Sequence, residues 1–251
     1  MKRLYVKLIT LFVVILIWQI VSVIINTDLF PTPVTVFLSL IVMIQEGILL
    51  KDILWSINRI VISLFVATIL GIILGIITAK ISLAYDSIGT ILDYMRSASP
   101  VALVPFIILW FGIGEFSKVL TLTYLITTVI WLNTYAGIKN INKLYVWAAK
   151  SLGANKWCLI RYIILPQALP FVVTGIRIGI SFAFIIIVAA EMNGAIFGLG
   201  YHIFAYYQAF LIDKMMVNLI VLTSIAYMVD KLFLLITRKH YKWHLIRGEE
   251  N

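Results

Sequence analysis

The sequence predicts an all-α polytopic membrane protein of about six transmembrane helices, forming a single domain over residues 1–251 with its core at about 55–237. Three observations carry this. Hydrophobic residues make up 63% of the chain and charged ones only 12%, at a mean hydropathy of +1.07, far from the balance of soluble domains. Uncharged runs of 18 to 20 residues recur, each long enough to cross a bilayer as a helix. The net charge of +9 is spread between those runs instead of being grouped with aromatics in a stripe, so membrane topology explains it and nucleic-acid binding is not expected. Cys158 stands alone, which excludes an intrachain disulfide. His202, His240 and His244 have no ligand cluster around them, so no metal site is expected.

Taken in order, Lys2, Arg3 and Lys7 precede an 18-residue uncharged run, Leu8 to Ile25, that is longer than a signal-peptide core. With no small-x-small pattern over Asn26 to Pro33, this predicts an uncleaved first span. Thr32 and Pro33 predict a helix start, and Glu46-Gly47 its end. That segment is too short to cross and reads as interfacial or re-entrant on the outer side. Ile60 to Ala79, 20 uncharged residues between Arg59 and Lys80, is the second span, with Gly71 and Gly75 offering a close approach to another helix. Lys80 to Ser97 is expected to be a cytoplasmic connection. A third span is expected from about Ala98 to Gly114, then a tight turn at Glu115 to Lys118, then a fourth span from Val119 to Ile138. Pro100 and Pro105 free backbone groups in the third span, which suits a helix lining a path and equally a kink that serves packing.

The segment from Lys143 to Pro170 is the most cationic stretch between spans, with Lys143, Lys150, Lys156 and Arg161. It predicts a short helix carrying Ala148, Ala149 and Leu152 on one face and ended by Gly153. A second short helix is expected from Asn155 to Leu165-Pro166. A fifth span follows from about Phe171 to Ala190, with Arg177 close enough to its cytoplasmic end to snorkel. Asn193, Gly194, Gly198 and Gly200 give an outer connection, and Tyr201 to Phe210 an aromatic helical stretch. The sixth span begins near Met215, contains Asp230 and Lys231 near its inner end, and exits into Arg238, Lys239, His240, Tyr241, Lys242 and Trp243.

The spacing Ala148-Ala149, Gly153, Ile163, Leu165-Pro166 resembles the EAA loop of the membrane permease subunits of bacterial ABC importers, with Trp147 standing where the family's glutamate usually falls. SPVALVPFIILWFGIGEFSK from Ser99, LNTYAGIKNI from Leu132 and AAEMNGAIFGLGY from Ala189 resemble the nitrate, sulfonate and taurine branch. The resemblance covers about Pro31 to Trp243. It implies a fold of the type I ABC importer permease kind and a knob, about 143–170, that docks on a cytoplasmic ABC ATPase through Trp147, Ala148, Ala149, Gly153, Ile163, Leu165 and Pro166. It also implies a homodimer around a translocation path, an extracytoplasmic substrate-binding protein, and a small sulfonate-, taurine- or nitrate-like anion as substrate. Related permeases carry vitamin precursors and other small organic solutes, which remain an alternative.

Counting basic residues tests the orientation. Under this topology four lie outside (Lys51, Arg59, Lys118, Lys214), and fourteen lie inside, including those of the loop and of the tail to Arg247. Both termini are therefore expected on the cytoplasmic side, and the resemblance implies a bacterial cell (inner, plasma) membrane. With no GxxxxGK[ST] phosphate loop, the chain is expected to bind no cofactor of its own, ATP being held by the partner. Asn133, Glu191 and Asn193 are candidates for the path, since polar groups at membrane depth are costly unless they face water or protein; an interhelical hydrogen bond or a loop-facing position is the competing reading of each. A gradient-driven secondary transporter also stays open, although the acidic residues sit mainly at span ends. An intramembrane enzyme lacks a catalytic constellation within any span.

Overall fold

The computed structural model describes residues 2–240, apart from the side chains of residues 2–4, 7–8, 156 and 238–240. The expected basic exit at Tyr241, Lys242, Trp243 and Arg247, and His244, lie outside them. Among the described residues there are ten helical stretches: α1 Lys2–Ile25, α2 Pro33–Gln45, α3 Ile48–Lys80, α4 Ser82–Ser97, α5 Pro100–Phe111, α6 Glu115–Lys139, α7 Lys143–Ser151, α8 Trp157–Met192, α9 Leu199–Gln208 and α10 Ile212–His240. Four of these, α3, α6, α8 and α10, are long and apolar enough to cross a membrane, and a fifth span results if the bent pair α4–α5 is counted as one. The apolar part of α1, Ile9–Ile25, is shorter, so about six spans requires both the bent pair and α1.

Several boundaries differ from expectation for identifiable reasons. Only Glu46 and Gly47, the latter at φ +72°, separate α2 from α3, so α3 begins well before Ile60, and Lys51 and Arg59 lie within it. The connection after Lys80 is helical, with one widened turn at Tyr85–Gly89. Ala98 and Ser99 are extended, as residues leading into Pro100 must be, and the helices on either side meet at 106°. The expected third span is thereby reduced to α5, 12 residues long and about 18 Å at 1.5 Å per residue, too short to cross alone. Gly112 at φ +82° ends α5, and Glu115 already opens α6. The tight turn is thus at Gly112 to Gly114, ahead of its expected position.

Two compact units divide the chain. Met1–Ser56 with Ile196–Thr223 forms the first. Thr32 caps α2 by accepting from Thr35 N, with Pro33 in the first turn. Asp52 and Ser56, one helical turn apart on α3 and both buried, accept hydrogen bonds from the backbone N–H groups of Gly198 and Leu199, each at 2.9 Å. They thus fix the start of α9 at a glycine held at φ +134°. His202 Nδ1 lies 2.6 Å from the other Asp52 oxygen, and Lys51 Nζ sits 3.5 Å above the Phe197 ring.

Ile57–Ala195 with Ser224–Asn251 forms the second unit, and α6 is its axis. Leu122, Ile126, Ile130 and Trp131 of α6 are fully buried, because α3 and α8 each approach α6 through glycine. A Cβ on Gly71 would lie 2.8 Å from Ile130, and one on Gly75 would lie 2.5 Å from Thr134. From the other side, a Cβ on Gly175 would lie 2.8 Å from Asn133, and one on Gly179 would lie 3.0 Å from Ile126. Lipid tails are as apolar as leucine, so close backbone approach and polar contacts supply what hydrophobicity supplies in water. Trp131 Nε1 accordingly donates to Thr78 Oγ1 at 2.9 Å, and Tyr135 stacks on Tyr85 at 4.6 Å.

At the other end of the same three helices lies an ion cluster. Arg59 of α3 spans both neighbours: Nε and Nη2 grip the two Glu115 oxygens at 2.6 and 2.8 Å, and Nη1 donates to Glu191 of α8 at 2.6 Å. Lys118 adds a contact to Glu115 at 2.9 Å. Arg59 and Glu191 are buried, whereas Glu115 is half exposed.

The packing predicts that Gly75→Ala, which must move Thr134, lowers stability by about 1–3 kcal/mol. Gly114→Ala, in open space at φ −164°, should change it by less than ~0.5 kcal/mol; thermal unfolding in detergent compares the two. By the same measurement, Glu191→Leu, which strips a buried arginine of a partner, should cost about 3 kcal/mol or more. Glu115→Gln, at a half-solvated position, should cost about 1 kcal/mol.

Candidate functional site

The segment between α6 and the membrane part of α8 is built as a cap and a lever. Asn142 caps α7, its Oδ1 accepting from Leu144 N at 2.9 Å. At the other end Gly153, at φ +80°, donates to Lys150 O at 2.9 Å, and Ala154 N donates to Ala149 O at 3.0 Å. This bond pair makes a complete Schellman close, which a side chain with a Cβ strains. Asn155 Oδ1 then accepts from Cys158 N at 2.8 Å and starts the next helix, as expected.

That helix does not stop at Leu165-Pro166. It widens into a π turn over Ile160–Ile164 and runs on to Met192. Pro166 has no N–H to give the carbonyl one turn back and its ring crowds that carbonyl; the wide turn relieves both demands, so the proline shapes the helix without ending it. The knob is therefore one short helix beside the first turns of a long one.

Its surface is apolar and uncovered. Trp147 is 59% exposed, Leu152 89%, and Trp157 67%, while Ala148 and Gly153 are exposed and Ala149 half-buried. Ile163 and Pro166 are half-buried and Leu165 exposed. Ordinary surface positions scatter such residues; here they crowd one short segment that also carries Lys143, Lys150 and Arg161.

The three path candidates lie in different settings. Glu191 is fully buried in the Arg59 cluster. Asn133 is half-buried, turned back onto its own helix through Nδ2 to Val129 O at 2.9 Å, and packed against Gly175. Asn193 is exposed beyond the end of α8 and donates to Ala189 O at 3.1 Å.

Arg59 and Lys118, expected in outer loops, are both buried within helices. A signal for Arg59 was available: Asp52, Ser56, Arg59, Ser63, Ala67, Gly71, Gly75 and Thr78 recur at helical spacing and all are buried. A polar and small stripe on an otherwise greasy helix marks its protein-facing side. Arg177 and Asp230 were each placed at a span end, yet they form an ion pair, Nε to Oδ1 at 2.7 Å and Nη2 to Oδ2 at 3.2 Å.

Comparison with known proteins gives this helical arrangement a family. Residues 71–240, more than half of the chain, match the family described as binding-protein-dependent transport system inner membrane component. The chain is 32% identical to the taurine transport system permease protein TauC of Escherichia coli over 189 residues, 75% of this chain and 69% of that protein. It is 29% identical to the putative aliphatic sulfonates transport permease protein SsuC of Bacillus subtilis over 92% of this chain and 84% of the relative. To the nitrate import permease protein NrtB of Synechocystis it is 28% identical over 70% of this chain and 64% of that one. Among solved structures, the inward-facing MetNI methionine ABC transporter matches with a TM-score of 0.68 at 21% identity, covering 78% of this chain and 97% of that one. A bacterial ABC transporter involved in alginate import matches with 0.66 at 14%, over 95% and 96%. At such identities these two speak for the fold, and the sequence matches carry the family. The chain belongs to the binding-protein-dependent transport system inner membrane component family, the permease subunits of ABC importers, whose ATP hydrolysis takes place in a separate subunit.

Proposed function

We propose that this permease pairs with a second copy of itself around a path for a small oxyanion, a sulfonate, taurine or nitrate, handed over by an extracytoplasmic binding protein. The taurine, sulfonate and nitrate permeases it resembles support the anion. In this reading α1 and the bent pair α4–α5 complete six spans, both termini are cytoplasmic, and residues 143–170 dock on the ATPase.

The observation that carries the docking role is the uncovered surface of that segment. Trp147, Leu152 and Trp157 are large, apolar and exposed, on a segment whose lysines and arginine place it in water. Such a surface is stable in water only against a partner. Trp147, where the family's glutamate usually falls, supplies an aromatic anchor in place of a charge. Since α8 leaves this segment and continues to Glu191 without a break, a push on the knob moves the helix that packs on α6. ATP-driven closure of the ATPase pair thereby biases the spans between inward- and outward-open arrangements.

Two measurements test this. Gly153→Val forces a β-branched residue into a left-handed conformation and spoils the close of α7, at a cost of about 1–2 kcal/mol confined to the loop. The variant should remain in the membrane as a dimer, retain about a tenth or less of the ATPase on affinity purification, and lose uptake in the same proportion. Full retention and full uptake would sink the docking role. For the substrate, the complete complex in proteoliposomes should take up labelled taurine, an alkanesulfonate or nitrate only with ATP and the binding protein. Uptake driven by a proton or sodium gradient without ATP contradicts the reading.

A further inference from the structure

The ion pair between Arg177 of α8 and Asp230 of α10 lies inside two helices that are otherwise apolar enough to cross the membrane. Such a pair can serve as a buried tie. Its exposure argues otherwise: the Arg177 side chain is 45% accessible and that of Asp230 23%, against 2% and 0% for Arg59 and Glu191. Asp230 occupies Nε and Nη2. The remaining terminal nitrogen, Nη1, has no partner among the described residues.

A half-open guanidinium on a helix long and apolar enough to cross a membrane, near its expected cytoplasmic end, faces lipid, another protein surface, or water. Lipid is the costly choice. The neighbours on the same face of α8 favour water. Thr174 and Ser181, one turn on either side of Arg177, are exposed hydroxyls; Thr174 also bonds to its own helix at Pro170 O, 2.9 Å away. The three make a polar stripe, Thr174, Arg177 and Ser181, on a helix whose opposite face packs Gly175 and Gly179 against α6.

Resting on the oxyanion reading above, we infer that Arg177 is the specificity-determining contact for the anion within the path, held ready by Asp230. The guanidinium edge formed by Nη1 and Nη2 has the fork geometry that takes two oxygens of a sulfonate or nitrate, which lysine cannot match. Asp230 fixes the position of the guanidinium through two hydrogen bonds and neutralises it while the path is empty. Because the carboxylate holds the adjoining Nε and Nη2 edge of the same guanidinium and its charge repels the anion, the anion is held weakly enough to leave. In a two-fold pair, one such fork enters the path from each copy.

A lipid phosphate has the same chemistry as the transported oxyanion, so the experiment separates the two. The whole complex, with ATPase subunits and binding protein, is reconstituted with Arg177→Gln, Arg177→Lys, Asp230→Asn and the swapped pair Arg177→Asp/Asp230→Arg. ATP-driven uptake of labelled taurine, alkanesulfonate and nitrate is measured with ATP hydrolysis and melting temperature. Arg177→Gln and the swap should each lower uptake about tenfold or more, the loss expected from one charge-assisted hydrogen-bonding partner, while the swap keeps hydrolysis and melting temperature near wild type. Arg177→Lys should fall between. Asp230→Asn, which still accepts from the guanidinium, should stay within about threefold. Recovery of uptake in the swap, or equal losses in Arg177→Gln and Asp230→Asn, would show a structural tie and overturn the assignment. Unchanged uptake in Arg177→Gln with an altered dependence of melting temperature on added phosphatidylglycerol would assign the arginine to lipid, and also overturn it. If the wild-type complex carries only neutral or cationic solutes, the oxyanion reading fails first and takes this inference with it; the wild-type measurement alone reveals that case.

Discussion

Helices in a bilayer have no hydrophobic reason to associate, and the construction of this permease core answers that constraint along one face of α3. Arg59, Ser63, Ala67, Gly71, Gly75 and Thr78, small, polar or charged, are all buried along that face, with Ile60 the one bulky side chain buried beside them. Other bulky residues point away: Phe65, Ile69 and Ile73 are exposed, as suits a lipid-facing surface. The small side chains let α6 come close enough for dispersion to act. The polar ones give the contact a fixed register, because Arg59 can reach Glu115 and Glu191 together only when the three helices are aligned. Glycine supplies proximity and the ion cluster supplies register, and neither alone would define one packing.

The same helix α6 receives α8 on its other side by the same device, Gly175 and Gly179. This symmetry has a mechanical consequence. A long side chain between helices resists sliding, whereas a glycine contact is shallow and permits small shear movements. The Arg59–Glu191 bond, at one end of the contact, is the point that sliding would have to break or carry along. The knob stands at the opposite end of α8. A force applied there acts on a single helix of 36 residues, about 54 Å at 1.5 Å per residue, with no loop in between to absorb it. Near Pro166 the helix departs from regular geometry in a π turn, and π turns are local points of give.

Much of this was legible in the sequence, and what was missed has a common cause. The helix from Pro33, its stop at Gly47, the cap at Gly153 and the close approach at Gly71 and Gly75 all follow from local rules about proline, glycine and capping residues. Each of these features is determined within a few residues. Charges were misplaced because hydropathy treats a charged residue as the edge of a span. Arg59 was therefore read as the outer border of the second span, and Glu115 to Lys118 as a turn. These charges bury one another across 56 and 132 positions of chain, and a pairing at that distance leaves no trace in local composition. Only the periodicity of Asp52, Ser56, Arg59 and Ser63 announced it. The overrun at Leu165-Pro166 is the opposite case: a local rule, that proline stops a helix, gave way to a π turn that accommodates it.

The chain holds two kinds of charge within its apolar helices, and the contrast between them assigns them different work. Arg59 is enclosed, meets carboxylates on two helices and has almost no exposed surface. Enclosure of that kind makes the charges interdependent, since removing one leaves another uncompensated in a low-dielectric interior. Such a cluster is suited to holding a structure. Arg177 meets one carboxylate, keeps nearly half its surface open and sits between exposed hydroxyls. Open pairs are weaker and exchange partners easily, which is a defect in a structural tie and a requirement in a path, where each contact must form and break once per cycle. Burial thus separates the charges that keep the helices together from the one placed to meet what passes between them.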